Sequence, residues 1–203
     1  DRSMVERVDE GVAEILATLD RLDLTENTLV IFTNDNGGEW LSNNEPFFHR
    51  KWTVWEGGIR VPTLIKWPGR IPARTVSHQV GITMDLTRTI LTAAGARVPD
   101  DLEGIDLLPI LSGQAPEHER TLFWETDYGG FTQFAVRSGD WKLVRDGRAT
   151  FVYDVRRDPG ERNDLAKQRQ SVARRLSLLL ESWLEDVTTE AEERGLGEGS
   201  GSS

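Results

Sequence analysis

The run TNDNGGEW, residues 33 to 40, places an acid and an amide, Asp35 and Asn36, between the apolar stretch LVIF and two glycines. A carboxylate beside a side-chain carbonyl offers two hard oxygen donors, a pair suited to Ca²⁺ or Mg²⁺ and unsuited to a soft metal. Gly37 and Gly38 let the backbone turn tightly and leave room for a ligand. The same four residues also read as an Asx-turn that ends a strand. Two donors do not complete the shell of a cation that takes roughly six to eight oxygens. Farther along, His49, Arg50 and Lys51 supply positive charge. A lysine near a divalent cation can clamp an oxyanion as a point charge, although a lysine by itself is more often a solvated surface residue. In EGGIRVP, residues 56 to 62, paired glycines beside charged residues predict close backbone packing, with Glu56 and Arg60 as structural pillars.

These residues need elements to position them. Val5, Val8, Val12, Ile15, Leu16, Leu19 and Leu22 recur at steps of three and four and predict an amphipathic helix. The polar turn DLTENT follows, then TLVIFT, which reads as a buried strand. Helix, short loop and buried strand form the repeating unit of a parallel α/β sheet, in which ligands bind beyond the carboxyl ends of the strands. Residues 34 to 58 form a long loop whose Trp and Phe content predicts order and function. VPTLIKW predicts a second short buried strand before the turn PGR, and MDLTRTILTAAG a helix closed by glycine. TLFWE, FTQFAVR, WKLVR and TFVYDV, separated by GG, SGD and DGR, predict four antiparallel strands. Val172, Leu176, Leu179, Leu180, Trp183, Leu184 and Val187 predict a final helix with one apolar face.

The expected fold is therefore α/β. Residues 1–111 hold part of a mixed or parallel sheet flanked by helices, residues 112–190 a small antiparallel sheet packed with the C-terminal helix, and residues 191–203 a flexible tail. The net charge of −10 argues against nucleic-acid binding by bulk electrostatics. The absence of Cys excludes thiolate zinc sites, disulfides and Cys nucleophiles within these 203 residues. No apolar run is long enough to predict a membrane span. DRSMVERVDE carries no signal-peptide pattern and opens almost at once into a helix, as expected of a chain that begins inside a larger protein.

VIFTNDNGGEW, followed by NNEPFFHRKWTVWEGGIRVPTLIKWPGRI, closely resembles the sulfatase family of the alkaline-phosphatase-like superfamily. So do SHQVGITMDLTRTILTAAGA, EGIDLLPILSG, RTLFWE, AVRSGDWKLV and YDVRRDPGERNDLA, in the same order, over about residues 5 to 187. The resemblance implies hydrolysis of sulfate esters, aryl or carbohydrate. In that chemistry a Cys or Ser in a Cys/Ser-x-Pro/Ala-x-Arg motif is oxidised to formylglycine, and a divalent cation, usually Ca²⁺, polarises the sulfate. By position, Asp35 and Asn36 resemble the second pair of metal ligands. Lys51 resembles the catalytic, sulfate-contacting lysine, and His49 and Arg50 lie where substrate choice is shaped. Asn34 stands where many relatives have Ser.

The family's first acidic metal pair and its formylglycine motif are expected upstream of these residues. The string Ser171-Val172-Ala173-Arg174-Arg175 fits the motif only as a coincidence inside the amphipathic C-terminal helix. His78 and His118 are weak acid or base candidates. The reading that follows is the C-terminal portion of a sulfatase, inactive alone. A phosphate or phosphonate ester hydrolase of the same superfamily and a non-catalytic binding module are the alternatives. The family resemblance implies a periplasmic, secreted or lysosomal setting.

Overall fold

The computed structural model describes residues 2 to 194; the expected tail from residue 195 onward lies outside the described residues. The element order is α1 (Arg2–Arg21), β1 (Val30–Thr33), α2 (Glu56–Ile59), β2 (Thr63–Lys66), α3 (Thr83–Ala93), α4 (Leu108–Leu111), β3 (Thr121–Tyr128), β4 (Phe131–Ser138), β5 (Trp141–Asp146), β6 (Ala149–Asp154) and α5 (Gln170–Glu193), with a 3₁₀ turn at Thr25–Asn27. Helix α5 runs through Glu193, so residues 191 to 193, expected in the tail, are helical. The chain divides into two compact units. One comprises residues up to Thr33 together with Pro62–His118; the other comprises Asn34–Val61 together with the residues from Glu119 onward. The long loop thus belongs with the antiparallel sheet.

In the first unit β1 and β2 pair antiparallel, Val30 opposite Lys66 and Thr33 opposite Thr63, and the hydroxyls of Thr33 and Thr63 lie 2.9 Å apart. The expected mixed-or-parallel sheet is realised here as an antiparallel ribbon, within a fold that remains mixed α/β. The two strands are also less buried than their apolar runs suggest. Phe32 is 37% exposed and Leu64 64%, because among the described residues each of these strands has only the other as its sheet neighbour. Helix α3 is tied down by its own side chains. The buried Asp85 carboxylate accepts the Ile82 and Ile105 N–H groups at 2.8 and 2.9 Å, and Thr89 Oγ1 accepts the Leu107 N–H at 2.9 Å. The EGIDLL stretch is thereby fixed along this helix. Gly104 is required where it passes: its φ is +90°, and a Cβ there would lie 2.7 Å from the Met84 carbonyl oxygen.

The second unit is built on the four-stranded meander β3-β4-β5-β6, all antiparallel, as the hairpin signals predict. The strand period of two divides its side chains between two faces. Phe123, Val136, Leu143 and Val152 stand in register on one face and pack against Leu176, Leu180 and Trp183 of α5, with the Phe123 and Trp183 rings stacked at 5.1 Å. Trp124, Ala135, Val144 and Phe151 stand on the opposite face, and Val54 and Trp55 of the long loop cover them.

Candidate active site

The loop that carries Asp35, Asn36 and Lys51 packs on the four-stranded sheet. Val54 and Trp55 enter the apolar core, and the Val54 N–H donates to Gln133 Oε1 at 3.3 Å. Next to them a charged group goes equally deep. Lys142, on β5, is fully buried, and its Nζ lies 2.9 Å from Glu56 Oε1 and 2.8 Å from Glu161 Oε1. Glu161 Oε2 in turn accepts the Glu56 N–H at 2.7 Å. Burial pushes the Glu56 carboxyl up, but the Lys142 charge and hydrogen bond, helped by Arg137 and Arg60, outweigh it and hold Glu56 below the ordinary glutamate range. At Glu161 burial wins over the same lysine, and the Glu56 charge adds to it, so this carboxyl is raised. One ammonium between two buried carboxylates is stable only while all three are present. Glu56, expected as a structural pillar, is thus buried in an ion-paired cluster, and Arg60 joins it at 3.3 Å from Glu56 Oε2.

From Glu56 the support passes by backbone to the site. The turn α2 sets Gly57 and Gly58 against the loop: Gly57 N–H donates to Phe48 O at 2.7 Å, Gly37 N–H to Gly58 O at 2.8 Å, and Lys51 N–H to Gly38 O at 3.0 Å. Asn44 staples the other side, its Oδ1 accepting the Gly38 N–H at 2.9 Å and its Nδ2 donating to Gly38 O at 3.1 Å. A Cβ on Gly57 would stand 2.3 Å from His49 O and 2.4 Å from Phe48 O, both backbone atoms that cannot swing away. Gly57→Ala is therefore expected to cost about 1–3 kcal/mol of stability, read as a lowered urea midpoint at unchanged m.

The product of this scaffold is a cavity of about 310 Å³ that Asn36 and Lys51 line together with Trp52, Trp124 and Thr126. Asp35 is exposed beside it, and its Oδ1 accepts the Asn36 N–H at 2.8 Å. Asn36 Nδ2 donates to Gly37 O at 2.9 Å, which spends the donor end of the amide on the backbone and leaves Oδ1 as the end that can face a cation. The donor chemistry fits a hard divalent cation, but the shell is partial: among the described residues no cluster of three acids or imidazoles is positioned to hold a metal. Lys51 Nζ sits 5.1 Å from the Trp52 ring centroid. Arg50 is turned toward the loop itself, its guanidinium 3.6 Å from the Trp40 ring centroid and 3.7 Å from Glu39. His49 holds φ +64°, stacks on Trp55 at 5.8 Å and meets Phe48 edge-on at 4.4 Å. Burial, with Arg50 beside it, keeps the imidazole below its ordinary pKa against the opposing pull of Asp146.

The Sulfatase family model matches residues 3–96. N-acetylgalactosamine-6-sulfatase of Canis lupus familiaris is 44% identical over 147 residues, which is 68% of this chain and 27% of that protein. The chain belongs to the sulfatase family. Arylsulfatase A of Homo sapiens is 33% identical over 189 residues, 78% of this chain and 37% of that protein. The crystal structure of Ps i-CgsB in complex with k-i-k-neocarrahexaose matches with a TM-score of 0.82 at 28% identity, covering 89% of this chain and 41% of that one. The chain thus spans about 27–41% of the length of these proteins.

Membership of the sulfatase family implies a metal cofactor and a formylglycine. The formylglycine-like string of this chain is helical. Ser171 to Arg175 lie in α5, where Val172 and Ala173 pack on the sheet face opposite the one that carries the Asp35–Lys51 loop. His78 and His118 lie in the first unit, in a loop ladder where the Glu117 carboxylate accepts the His78 N–H and Gln79 Oε1 accepts the His118 N–H; the structure does not group them with Lys51. No helix among the described residues is long and apolar enough to cross a membrane. Lys142 and Glu161 escaped the reading of the sequence. The one signal for Lys142 was its place in WKLVR, on the strand face shared with Val144. Nothing local announces that its partners stand 86 residues upstream and in the DPGER turn.

Proposed function

We propose that this chain supplies part of an active site that hydrolyses sulfate esters. The observation that carries the proposal is that Asn36 and Lys51 line one cavity, with Asp35 bonded to Asn36 beside it. Asp35 and Asn36 are two of the ligands of a divalent cation, Ca²⁺ in this reading, with Mg²⁺ the second choice. When bound, such a cation draws charge off the sulfate oxygens. Lys51 binds a sulfate oxygen and stabilises the negative charge that grows as the ester bond breaks. His49 and Arg50 shape the approach to it from the loop. The nucleophile, a formylglycine, comes from residues outside these 203. The names of the relatives, an N-acetylgalactosamine-6-sulfatase and an arylsulfatase, support sulfate esters as the substrate class.

The test is hydrolysis of matched sulfate and phosphate monoesters by the protein at its full natural length. Preference for the sulfate ester is expected. Preference for the phosphate ester overturns the proposal and assigns the site to a phosphohydrolase. The 203-residue chain alone is expected to turn over neither; sulfate-ester turnover by it would place the nucleophile within these residues.

A further inference from the structure

A turn from far along the chain reaches the loop that carries Asn36 and Lys51. DPGER, residues 158 to 162, follows β6 and is closed by its own aspartate: Asp158 Oδ2 accepts the Arg162 and Asn163 N–H groups at 2.9 and 2.8 Å. Glu161 holds φ +50° there, a left-handed conformation uncommon for a residue with a side chain. Strain of this kind persists where the surroundings enforce it, and it gathers at functional sites. Gly160 brings the turn against the loop backbone, since a Cβ on it would stand 2.8 Å from the Pro46 carbonyl oxygen. The buried Glu161 carboxylate is divided between two partners: Oε1 lies 2.8 Å from Lys142 Nζ, and Oε2 accepts the Glu56 N–H at 2.7 Å.

The turn α2, which begins at Glu56, does not hold itself. It has four residues, and Trp55 before it offers no side-chain cap; a single helical turn is unstable in isolation. Both arms of the loop are keyed to it. On one arm the Gly37 N–H, next to Asn36, donates to Gly58 O at 2.8 Å. On the other, the Thr53 and Arg50 carbonyl oxygens stand 2.2 and 2.5 Å from where a Cβ on Gly58 would be. The Lys51 N–H, donating to Gly38 O at 3.0 Å, ties the arms together. A shift of α2 is thus passed to the backbone at both Asn36 and Lys51.

We propose that Glu161 is a positioning residue for this site: its carboxylate fixes α2, and through α2 the placement of Asn36 relative to Lys51. The proposal rests on the sulfate-ester reading of the same site. Glutamine does not replace Glu161, because an amide has one acceptor end and one donor end. Turned either way, it aims a donor at Lys142 Nζ or at the Glu56 N–H. A misplacement of about 1 Å at the reacting groups costs rate, on the order of 10²-fold at most here, so the loss belongs in kcat.

The test uses the protein at its full natural length, with Glu161→Gln, Glu161→Asp and, as a control, Val152→Ala, which opens a cavity on the α5 face of the same sheet. Glu161→Asp keeps the charge but falls a methylene short of both partners. At a temperature where all are folded, both Glu161 variants are expected to lower kcat for a sulfate ester about tenfold with KM within about threefold. Both should also speed hydrogen exchange in peptides covering residues 34 to 58. Val152→Ala is expected to lower the urea midpoint and keep the wild-type kcat. Unchanged kcat or unchanged loop exchange in the Glu161 variants overturns the proposal. An equal loss of kcat in Val152→Ala also overturns it, because the effect would then be one of stability alone. If the wild type hydrolyses no sulfate ester, the sulfate reading fails, and the loop exchange by itself decides whether Glu161 positions the loop.

Discussion

Replacing Lys142 with Met is expected to destabilise the second unit by about 3–5 kcal/mol, the cost of leaving buried carboxylates without their counter-charge. Lys142 is 0% exposed and Glu56 and Glu161 are 1% and 4% exposed, so water does not screen the loss. The effect has a pH signature. In the wild type Glu56, held low, contributes stability that is present above its unfolded pKa and lost as pH falls through its folded value; Glu161, raised, works in the opposite sense. Without Lys142 both carboxyls are raised, and a raised carboxyl is tolerated below its unfolded pKa and penalised as pH rises through its folded one. K142M should therefore lie closer to wild type near pH 5 than near pH 8. Adding Glu56→Gln and Glu161→Gln should recover much of the loss at the higher pH. Urea unfolding at both pH values checks this, and equal destabilisation at the two would show that Lys142 acts by packing alone.

Lys51→Ala should instead leave the fold intact and remove the reaction. Its Nζ lies 5.1 Å from the Trp52 ring centroid in an open cavity rather than in a buried pair, so the stability change should stay within about 0.5 kcal/mol. If the ammonium stabilises charge that develops on the sulfate, kcat for a sulfate ester should fall by about 10²–10³. KM should change far less than kcat, because the interaction strengthens in the transition state. A rise in KM at unchanged kcat would make Lys51 a binding residue only. Lys142→Met and Lys51→Ala thus separate two lysines that look alike in the sequence: one is buried between two carboxylates, the other lines the cavity and is the one proposed to act on the sulfate.

That contrast shows what the sequence conveys and where it stops. The strand meander was legible because GG, SGD and DGR punctuate runs with a period of two. Helix α5 was legible because its apolar residues keep helical spacing through Val187. The two glycines of EGGIRVP announced close packing, and the structure puts carbonyl oxygens 2.2–2.5 Å from where their Cβ atoms would be. Asp35, Asn36 and Lys51 stood out by residue type, and the fold brings two of them to one cavity with the third beside it. The triad was not legible, since a buried lysine is decided by partners far off in the chain. Trp52, which lines the cavity, was missed for a different reason: its exposure and left-handed backbone are properties of the folded loop, and composition records only one more tryptophan among seven. The apolar runs of β1 and β2 promised burial that a two-stranded ribbon does not provide.

The central claim is that Asp35 and Asn36 hold a divalent cation beside a sulfate-binding Lys51. The most direct measurement is the metal content of the protein at its full natural length, wild type against Asp35→Ala, by mass spectrometry after dialysis, with sulfate-ester turnover measured on the same samples. Bound calcium that falls severalfold or more in Asp35→Ala, together with turnover, is the predicted result. Wild-type metal content and turnover in the variant would contradict the account and return TNDNGGEW to an Asx-turn that ends a strand.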